Sequence, residues 1–415
     1  MFVSRKKLIV LVVIMVLVVA AACVVVPMWV YGQAQRDVMA KARGLAHPAR
    51  PVRITSAEMS LSFSHGLWVL CRLGPCDLGL HWLLGHWAFL SPLPLTPVHL
   101  SGISHHPDLE EHTGMSLLIV GSVAFDTIKT SGGIAEEVLG GSALYCAYAA
   151  SFFHTAGLMS PVGEDMPSEH LHDMQQDGID TAGIKIVPGG KTFRWTGSYN
   201  DDFSVRTTED IQLNVFGDYD TTVPQTYDDA EYVFLANGAP EAQKAVLKQL
   251  PDRKMAFLDT MNHWIEGSRA ALEDVLTMVD GLLVNDEEAR LLTGEQNLVA
   301  AARVMNEMGP RIVVIKKGEH GCILRMDDKV FALPAWLTET VKDPTGAGDC
   351  FGGGLIGYLA SVDGATIESV RAGIVCGTIV ASFCIEEFSI ERLRAIALND
   401  IQRRRREFLG TVSWC

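Results

Sequence analysis

Buried strands and amphipathic helices alternate along most of this chain. Short, largely apolar runs occur at residues 117–120, 232–236, 254–258, 281–284 and 311–315. Each has the length of a strand, and stretches of about 10–15 residues with helical spacing separate several of them. Apolar runs without polar alternation are typical of strands that are buried on both faces. The pattern therefore predicts an α/β domain with a doubly wound, mostly parallel sheet.

A different pattern occupies residues 191–215, where apolar and polar side chains alternate as in a half-buried strand. The run Gly189-Gly190-Lys191-Thr192 just before it looks like the end of a P-loop. However, Lys185 stands where the first glycine of that motif belongs, and a strand pattern follows instead of a helix. We therefore predict strands outside the main sheet and no P-loop.

The N-terminal part of the chain has its own composition. Residues 8–26 are an unbroken apolar run, long enough to cross a bilayer as a helix, with basic residues before it and Trp29 and Tyr31 after it. We predict a hydrophobic, signal-anchor-like transmembrane segment at residues 1–31. The small residues at 20–23 leave open a cleaved signal peptide or lipoprotein signal instead.

Residues 32–114 show no sustained period and are expected to be an irregular extension. Cys71, Cys76, His81 and His86 follow one another at five-residue steps. The two pairs are closer together than in the usual zinc finger, so we favour an incidental arrangement over a metal site. One hypothesis is that Met115 is the true start and that the preceding residues are not native.

Charge and cysteine usage narrow the class of protein. The formal net charge is −15; residues 1–114 carry nine Lys/Arg and six Asp/Glu, so the remainder carries −18. Such an acidic body argues against nucleic acid as a partner. The basic run at residues 403–406 is interpreted as a solvated helix face. The cysteines after residue 115 lie in apolar contexts without pairing motifs, which indicates reduced thiols in a cytosolic body.

The stretch with the clearest chemistry is Thr345-Gly346-Ala347-Gly348-Asp349, a turn that leads into an apolar helix. Gly346 and Gly348 let the backbone bend sharply and approach a ligand. The N–H groups of a first helical turn have no partners within the helix and attract an anion. A carboxylate at that place, Asp349, is suited to remove a proton from an attacking hydroxyl. The alternative is a helix cap without catalytic function.

Two further segments could contact a substrate. Asp126 comes shortly after the run at 117–120, where open α/β sheets bind ligands, although it could instead cap a turn or helix. Gly140 and Gly141 precede Ser142 and a predicted helix, and their lack of side chains would let a substrate lie against the backbone.

The last two predicted strands also end in polar groups. Asn285 and Glu288 lie one helical turn apart, and an amide with a carboxylate can hold a hydrated Mg²⁺ beside phosphates. After the run at 311–315, Lys316 and Lys317 precede Gly318 and Gly321. Either lysine could reach a phosphate or lie on the surface.

The run D-P-T-G-A-G-D-C-F-G-G-G at residues 343–354 resembles the C-terminal signature of the ribokinase-like (PfkB) carbohydrate kinase family. The resemblance extends over residues 115–415 and is closest to bacterial members known only as sugar kinases. It implies a ribokinase-like fold with a small β-sheet lid, whose segments lie near residues 127–139 and 191–215. Cys350 stands where the family usually has Ser, Thr or Ala, and Pro167 replaces a usual glycine. The neighbourhood of Tyr145 lacks the family's frequent asparagine, which puts the substrate in doubt.

The resemblance also implies roles for individual residues. Asp349 would be the catalytic base, with the N–H groups of Gly346, Ala347 and Gly348 around the transferred phosphoryl group. The substrate would be held by Asp126, Gly140, Gly141 and Ser142. The nucleotide and its Mg²⁺ would be held by Asn285, Glu288, Lys317, Gly318, Gly321 and Thr345, with Glu288 reaching the metal through water. Residues 381–386 would wall the adenine, and backbone near them would bind a monovalent cation.

The expected function is ATP- and Mg²⁺-dependent phosphorylation of a primary hydroxyl of a sugar. A nucleoside kinase, and a non-catalytic sugar- or nucleotide-binding protein on the same fold, remain alternatives. Small-molecule substrates are the expected partners, without nucleic acid, and relatives that pair their lid sheets make a homodimer an option. The kinase domain is expected in the cytoplasm, anchored to a membrane only if residues 8–26 are retained.

Overall fold

The computed structural model describes residues 116–412. The apolar run at 8–26, the extension at 32–114 with its cysteine and histidine pairs, and Met115 lie outside the described residues.

Within the described residues, nine strands form one large sheet in the order β13-β12-β11-β10-β9-β8-β1-β4-β5. Neighbours from β11 to β5 pair in parallel, and β12 and β13 extend the sheet as an antiparallel edge. The strands are β1 (Leu117–Val120), β4 (Ala156–Gly163), β5 (Ile179–Val187), β8 (Tyr232–Leu235), β9 (Met255–Asp259), β10 (Gly281–Asn285), β11 (Ile312–Lys316), β12 (Cys322–Met326) and β13 (Lys329–Leu333). The predicted mostly parallel sheet is confirmed.

Helices cover both faces of this sheet, which explains why its central strands lack polar alternation. In β1, Leu117 and Ile119 pack into one core, while Leu118 and Val120 pack into the other. Each such side chain contributes about 1.5–3 kcal/mol on burial. The first core is closed by α1 (Ser142–Ser151), α8 (Ala347–Ser361), α9 (Ile367–Cys384), α10 (Glu391–Arg394) and α11 (Leu398–Val412). The second is closed by α3 (Pro240–Gln249), α5 (Arg269–Leu276), α6 (Asp286–Thr293) and α7 (Leu298–Glu307).

Two further α-helices complete the described part: α2 (Ser168–Gln176) and α4 (Asn262–Gly267). Among the described residues, α9 is the one helix long and apolar enough to cross a membrane, but most of it is buried in the first core. The interpretation of residues 403–406 as a solvated face is wrong for Arg404. Its guanidinium lies 3.4 Å from the centroid of the Phe383 ring and donates to Glu386 at 2.6 Å.

A second sheet has the order β3-β2-β6-β7 and consists of β2 (Ala124–Thr130), β3 (Gly133–Gly140), β6 (Phe193–Tyr199) and β7 (Arg206–Gln212). β2 pairs in parallel with β6, and β3 and β7 are antiparallel edges. Its strands overlap the two predicted lid segments. Because β2 begins only four residues after β1 ends, Asp126 belongs to this sheet instead of the end of a main-sheet strand.

The parallel strands bring polar chain ends to one edge of the main sheet. β9 ends at Asp259, β10 at Asn285 and β11 at Lys316, and these three strands are direct neighbours. Asn285 and Lys316 are paired in the register of β10 and β11. The carboxyl ends of such strands are where open α/β sheets bind their ligands.

Candidate active site

The turn before α8 has the conformation that its glycines predict. Gly346 caps the helix with φ 77°, and a Cβ there would lie 2.4 Å from the Tyr145 ring. Other residues are therefore excluded by both conformation and space. The N–H of Ala347 donates to the Pro344 carbonyl at 3.2 Å. Among the described residues, the N–H groups of Gly348 and Asp349 have no acceptor outside the helix, as expected at its start.

Asp349 lies among other carboxylates at this edge of the sheet. Burial raises the pKa of Asp349 to about 8, and the negative charge of Asp259 adds to the increase. The positive charges of Lys316 and Arg206 lower the pKa of Asp349, and the negative charge of Asp126 raises it further. Asp126 and Asp349 are thus close enough to interact, although Asp126 belongs to the second sheet and Asp349 to α8. Bringing their carboxylates together disfavours the charged forms.

Lys316 is the cation at the centre of this group. Its ammonium forms an ion pair with Asp259 at 2.9 Å, and a Cβ on Gly348 would lie 3.1 Å from it. Burial alone would lower the pKa of Lys316, but the charges of Asp259, Glu288 and Asp349 outweigh this effect and raise it. The lysine is therefore held charged beside the turn that begins α8.

Asp126 is buried and folded back against the start of α1. A Cβ on Gly140 would lie 2.0 Å from its Oδ2, so this carboxylate requires a glycine there. Burial raises the pKa of Asp126 to about 7, although the N–H of Gly141 donates to it and lowers the pKa. The hydroxyl of Ser142 is hydrogen-bonded within the protein, because its Oγ donates to the Asn237 carbonyl at 3.3 Å.

Asn285 and Glu288 form a capping box at the start of α6. The Glu288 N–H donates to Asn285 Oδ1 at 2.8 Å, and the Asn285 N–H donates to Glu288 Oε2 at 2.7 Å. This reciprocal pair explains the spacing structurally. Burial and the charge of Asp259 nevertheless raise the pKa of Glu288 to about 7, while Lys316 lowers it. The carboxylate therefore belongs to the same charged group as Asp349.

The remaining residues that the sequence predicts for the nucleotide lie in two turns. The N–H of Lys317 donates to the Gly321 carbonyl at 2.7 Å, and Gly321 has φ 75° with no room for a Cβ beside Leu333. Gly318 begins a short 3₁₀ turn between them. At the end of α9, Cys384 Sγ donates to the Thr345 carbonyl at 3.4 Å. The segment at 381–386 thus contacts the turn of Gly346.

The second sheet also reaches this turn. Thr345 Oγ1 donates to the Tyr199 hydroxyl at 3.1 Å. On β6, Trp195 is paired with Asp126 of β2, so both side chains project from the same face. Alternation places Tyr199 on that face as well. The face of the second sheet that carries Asp126 is therefore the one turned toward α8.

Sequence analysis did not single out Asp259, and it assigned Lys317, not Lys316, to the nucleotide. Asp259 and Lys316 both directly follow predicted strands, but the sequence does not show that only β10 separates those strands in the sheet. In the described residues, no group of three or more His, Cys, Asp or Glu side chains is close enough to bind a metal directly. A divalent cation here would need water or ligand oxygens to complete its coordination.

Comparisons with known proteins agree with this geometry. A model described as pfkB family carbohydrate kinase matches residues 117–383. The chain is 30% identical over 251 residues to the cytidine kinase of Thermococcus kodakarensis, covering 59% of this chain and 88% of that protein. It is 26% identical over 248 residues to the 2-dehydro-3-deoxygluconokinase of Thermoproteus tenax, covering 55% and 75%.

Solved structures share the fold. The nucleoside kinase of Methanocaldococcus jannaschii, described as an archaeal member of the ribokinase family, matches with a TM-score of 0.58 at 19% identity. The match covers 71% of this chain and 99% of that one.

Asp349→Asn should stabilise the protein increasingly as the pH rises from about 4 to about 8. The ordinary pKa of the carboxyl is 3.8, whereas the folded protein holds it at about 8. Between these values the folded state keeps a proton that the unfolded state releases. The contribution of this group to stability is therefore complete below pH 4 and is lost as the pH rises. Urea unfolding should show the variant gaining at least ~1 kcal/mol more at pH 8 than at pH 5.

The matched control is Asp252→Asn, on an exposed turn after α3. It should shift the free energy of unfolding equally at both pH values. An Asp349→Asn effect that is also independent of pH would contradict the raised pKa.

Proposed function

Because this chain belongs to the pfkB family of carbohydrate kinases, we propose that it transfers the γ-phosphoryl group of ATP to a primary hydroxyl of a sugar or nucleoside. The observation that carries this proposal is the position of Asp349. It lies in the first turn of α8, next to N–H groups suited to an anion, and interacts with Asp126 of the second sheet. A base, an anion site and a hydroxyl-binding carboxylate are thus available together.

In the proposed reaction, Asp126 accepts hydrogen bonds from hydroxyls of the acceptor, and the second sheet acts as the lid over it. Asp349 removes the proton from the attacking CH₂OH group. A base works best when its pKa is near the operating pH, and a value of about 8 meets that requirement. The N–H groups of Gly348 and Asp349 and the Lys316 ammonium stabilise the charge on the phosphoryl oxygens.

The site fits a divalent cation that arrives with the nucleotide. Glu288 and Asp349 carry pKa values raised by burial and by the charge of Asp259, and cationic charge would relieve that repulsion. Bound there, Mg²⁺ would neutralise phosphate charge, with Glu288 holding it through water. The capping role of Glu288 leaves this second role open, because only Oε2 is used by the Asn285 N–H.

One buried carboxylate is also suited to bind a monovalent cation. Asp343 is buried, and its Oδ1 accepts the Thr345 N–H at 2.9 Å. Its Oδ2 is buried without a hydrogen-bond partner among the described residues. A buried carboxylate oxygen needs a proton, a water or a cation. The Ile385 carbonyl accepts the Lys342 and Asp343 N–H groups at 2.8 and 3.3 Å, which joins the segment of Asp343 to the end of α9. This supports a cation at the end of α9, as the resemblance implied.

A nucleoside is the second candidate for the acceptor, and the face of the second sheet favours it. Strand β6 carries three aromatic residues at even spacing: Phe193, Trp195 and Tyr199. Because alternate residues project from one face, these three share the face of Asp126. The Trp195 ring lies over Gly197, since a Cβ there would be 2.1 Å from ring atoms, and its Nε1 donates to Thr208 at 3.2 Å. A flat indole held this way can stack on a base.

The acceptor is tested by measuring ADP release against a panel of ribose, other sugars, sugar acids, cytidine, adenosine and inosine. We expect at least one ribose-containing acceptor to give turnover with ATP and Mg²⁺, and nucleosides to exceed free sugars. ADP release with none of them would favour the non-catalytic binding protein and overturn the proposal.

Asp349→Asn should lower kcat by at least ~100-fold with little change in acceptor KM, because the amide cannot take the proton in the transition state. Steady-state kinetics at pH 8 would measure this effect, with Asp252→Asn as the control. A near-normal kcat in a folded Asp349→Asn protein would refute the role of the base.

Glu288→Gln separates the capping role from the cation role. The amide oxygen can still accept the Asn285 N–H, so thermal stability should not fall, but the charge is gone. The Mg²⁺ concentration for half-maximal activity should rise ~10-fold or more. Glu287→Gln removes the same charge from an exposed neighbour on α6 and should leave the Mg²⁺ requirement unchanged. An unaltered requirement in Glu288→Gln would assign this residue to the cap alone.

A further inference from the structure

Arg206 lies at the point where the second sheet meets the turn of Gly346. It is paired directly with Tyr199 across β6 and β7, and paired residues project their side chains from the same face. The hydroxyl of Tyr199 accepts a hydrogen bond from Thr345 at 3.1 Å. The strand register therefore places Arg206 beside Tyr199, whose hydroxyl contacts the turn that precedes Asp349.

The electrostatics of the site agree with this position. Arg206 and Lys316 are cations that lower the pKa of both Asp349 and Glu288, against the larger effect of burial that raises both. Lys316 acts on the carboxylates from the end of β11, and the charge of Arg206 acts on them from β7. The two cations thus approach the same carboxylates from different sheets.

Arg206 differs from the neighbouring cations because its guanidinium has no hydrogen-bond or ion-pair partner among the described residues. Lys316 is already paired with Asp259 at 2.9 Å. Arg194, on the other face of the second sheet, is bound to Glu137 at 3.1 Å and to Asp165 at 2.8 Å. No hydrogen bond or ion pair holds the Arg206 guanidinium within residues 116–412, and its side chain is exposed. It is therefore available to a ligand.

The balance of charge indicates which ligand that would be. Asp259, Glu288 and Asp349 lie around Lys316, whose ammonium is paired with Asp259, and Asp126 lies near Asp349. A triphosphate entering this group adds further negative charge, which Lys316 can offset only in part because it is already paired. A guanidinium offers a planar set of donors that matches phosphoryl oxygens.

We propose that Arg206 contacts the terminal phosphoryl group of the bound nucleotide and stabilises its charge during transfer. This inference rests on the proposed kinase function and assigns the second sheet a part in the chemistry besides covering the acceptor. The interaction between Arg206 and the phosphoryl group would strengthen as the site loses water around the nucleotide, because charges interact more strongly in a less polar medium.

The test uses Arg206→Gln and Arg206→Lys in the full chain, with Lys129→Gln as the matched control. Lys129 belongs to β2 of the same sheet, but alternation places it on the opposite face, where it pairs with Glu209. Two quantities are measured: kcat with the best acceptor, and the Kd values of ADP and of a non-hydrolysable ATP analogue in the presence of Mg²⁺.

We expect Arg206→Gln to lower kcat by ~100-fold, with Arg206→Lys recovering part of the loss. The Kd of the ATP analogue should rise by about 10-fold more than that of ADP, because only the triphosphate carries the contacted group. Lys129→Gln should behave as wild type in both measurements. Thermal unfolding should show that all three variants remain folded.

The outcome separates this inference from the proposed function. If the wild-type protein phosphorylates no acceptor, the kinase proposal fails, while the two Kd values still test Arg206. Equal losses for ADP and the ATP analogue, no loss for either, or a wild-type protein that binds neither nucleotide would overturn the role of Arg206.

Discussion

The concentration of carboxylates at one edge of the main sheet is the constraint on which the rest of the site depends. Asp259, Glu288 and Asp349 come from three separate parts of the chain, and Asp126 joins them from the second sheet. Enclosed carboxylates repel one another, and burial raises the pKa of three of them to about 7 or 8. Such an arrangement is unfavourable unless the folded scaffold enforces it and a ligand relieves it.

The scaffold enforces it through the parallel sheet and through close backbone approaches. Parallel strands place Asp259, Asn285 and Lys316 side by side, with no alternative register that keeps both cores filled. The glycines at 140 and 346 leave the space that Asp126 and Tyr145 occupy. A single ion pair, from Lys316 to Asp259, then holds the charged group together. Stability and chemistry therefore depend on the same few positions.

In the proposed reaction, the second sheet connects acceptor binding to phosphoryl transfer. One face carries Asp126 at one end and Tyr199 with Arg206 at the other. The hydrogen bond between Thr345 and Tyr199 joins that face to the turn before α8. Because β2 follows β1 after only a short link, the second sheet is joined closely to the centre of the main sheet. The proposed acceptor site and the proposed phosphate site are thus parts of one surface.

The sequence by itself determined the parallel sheet, the turn of Gly346 and the neighbourhood of Asp349, because apolar runs and glycine turns act locally along the chain. It did not determine that Lys316, instead of Lys317, lies beside Asp259 and Asp349, since that depends on the side of the sheet to which each side chain projects. Nor could it find Asp259 or Arg206, whose importance arises from strand pairing between residues distant in sequence. Only the tertiary structure decides which charges become neighbours, because electrostatic interactions depend on distance in space.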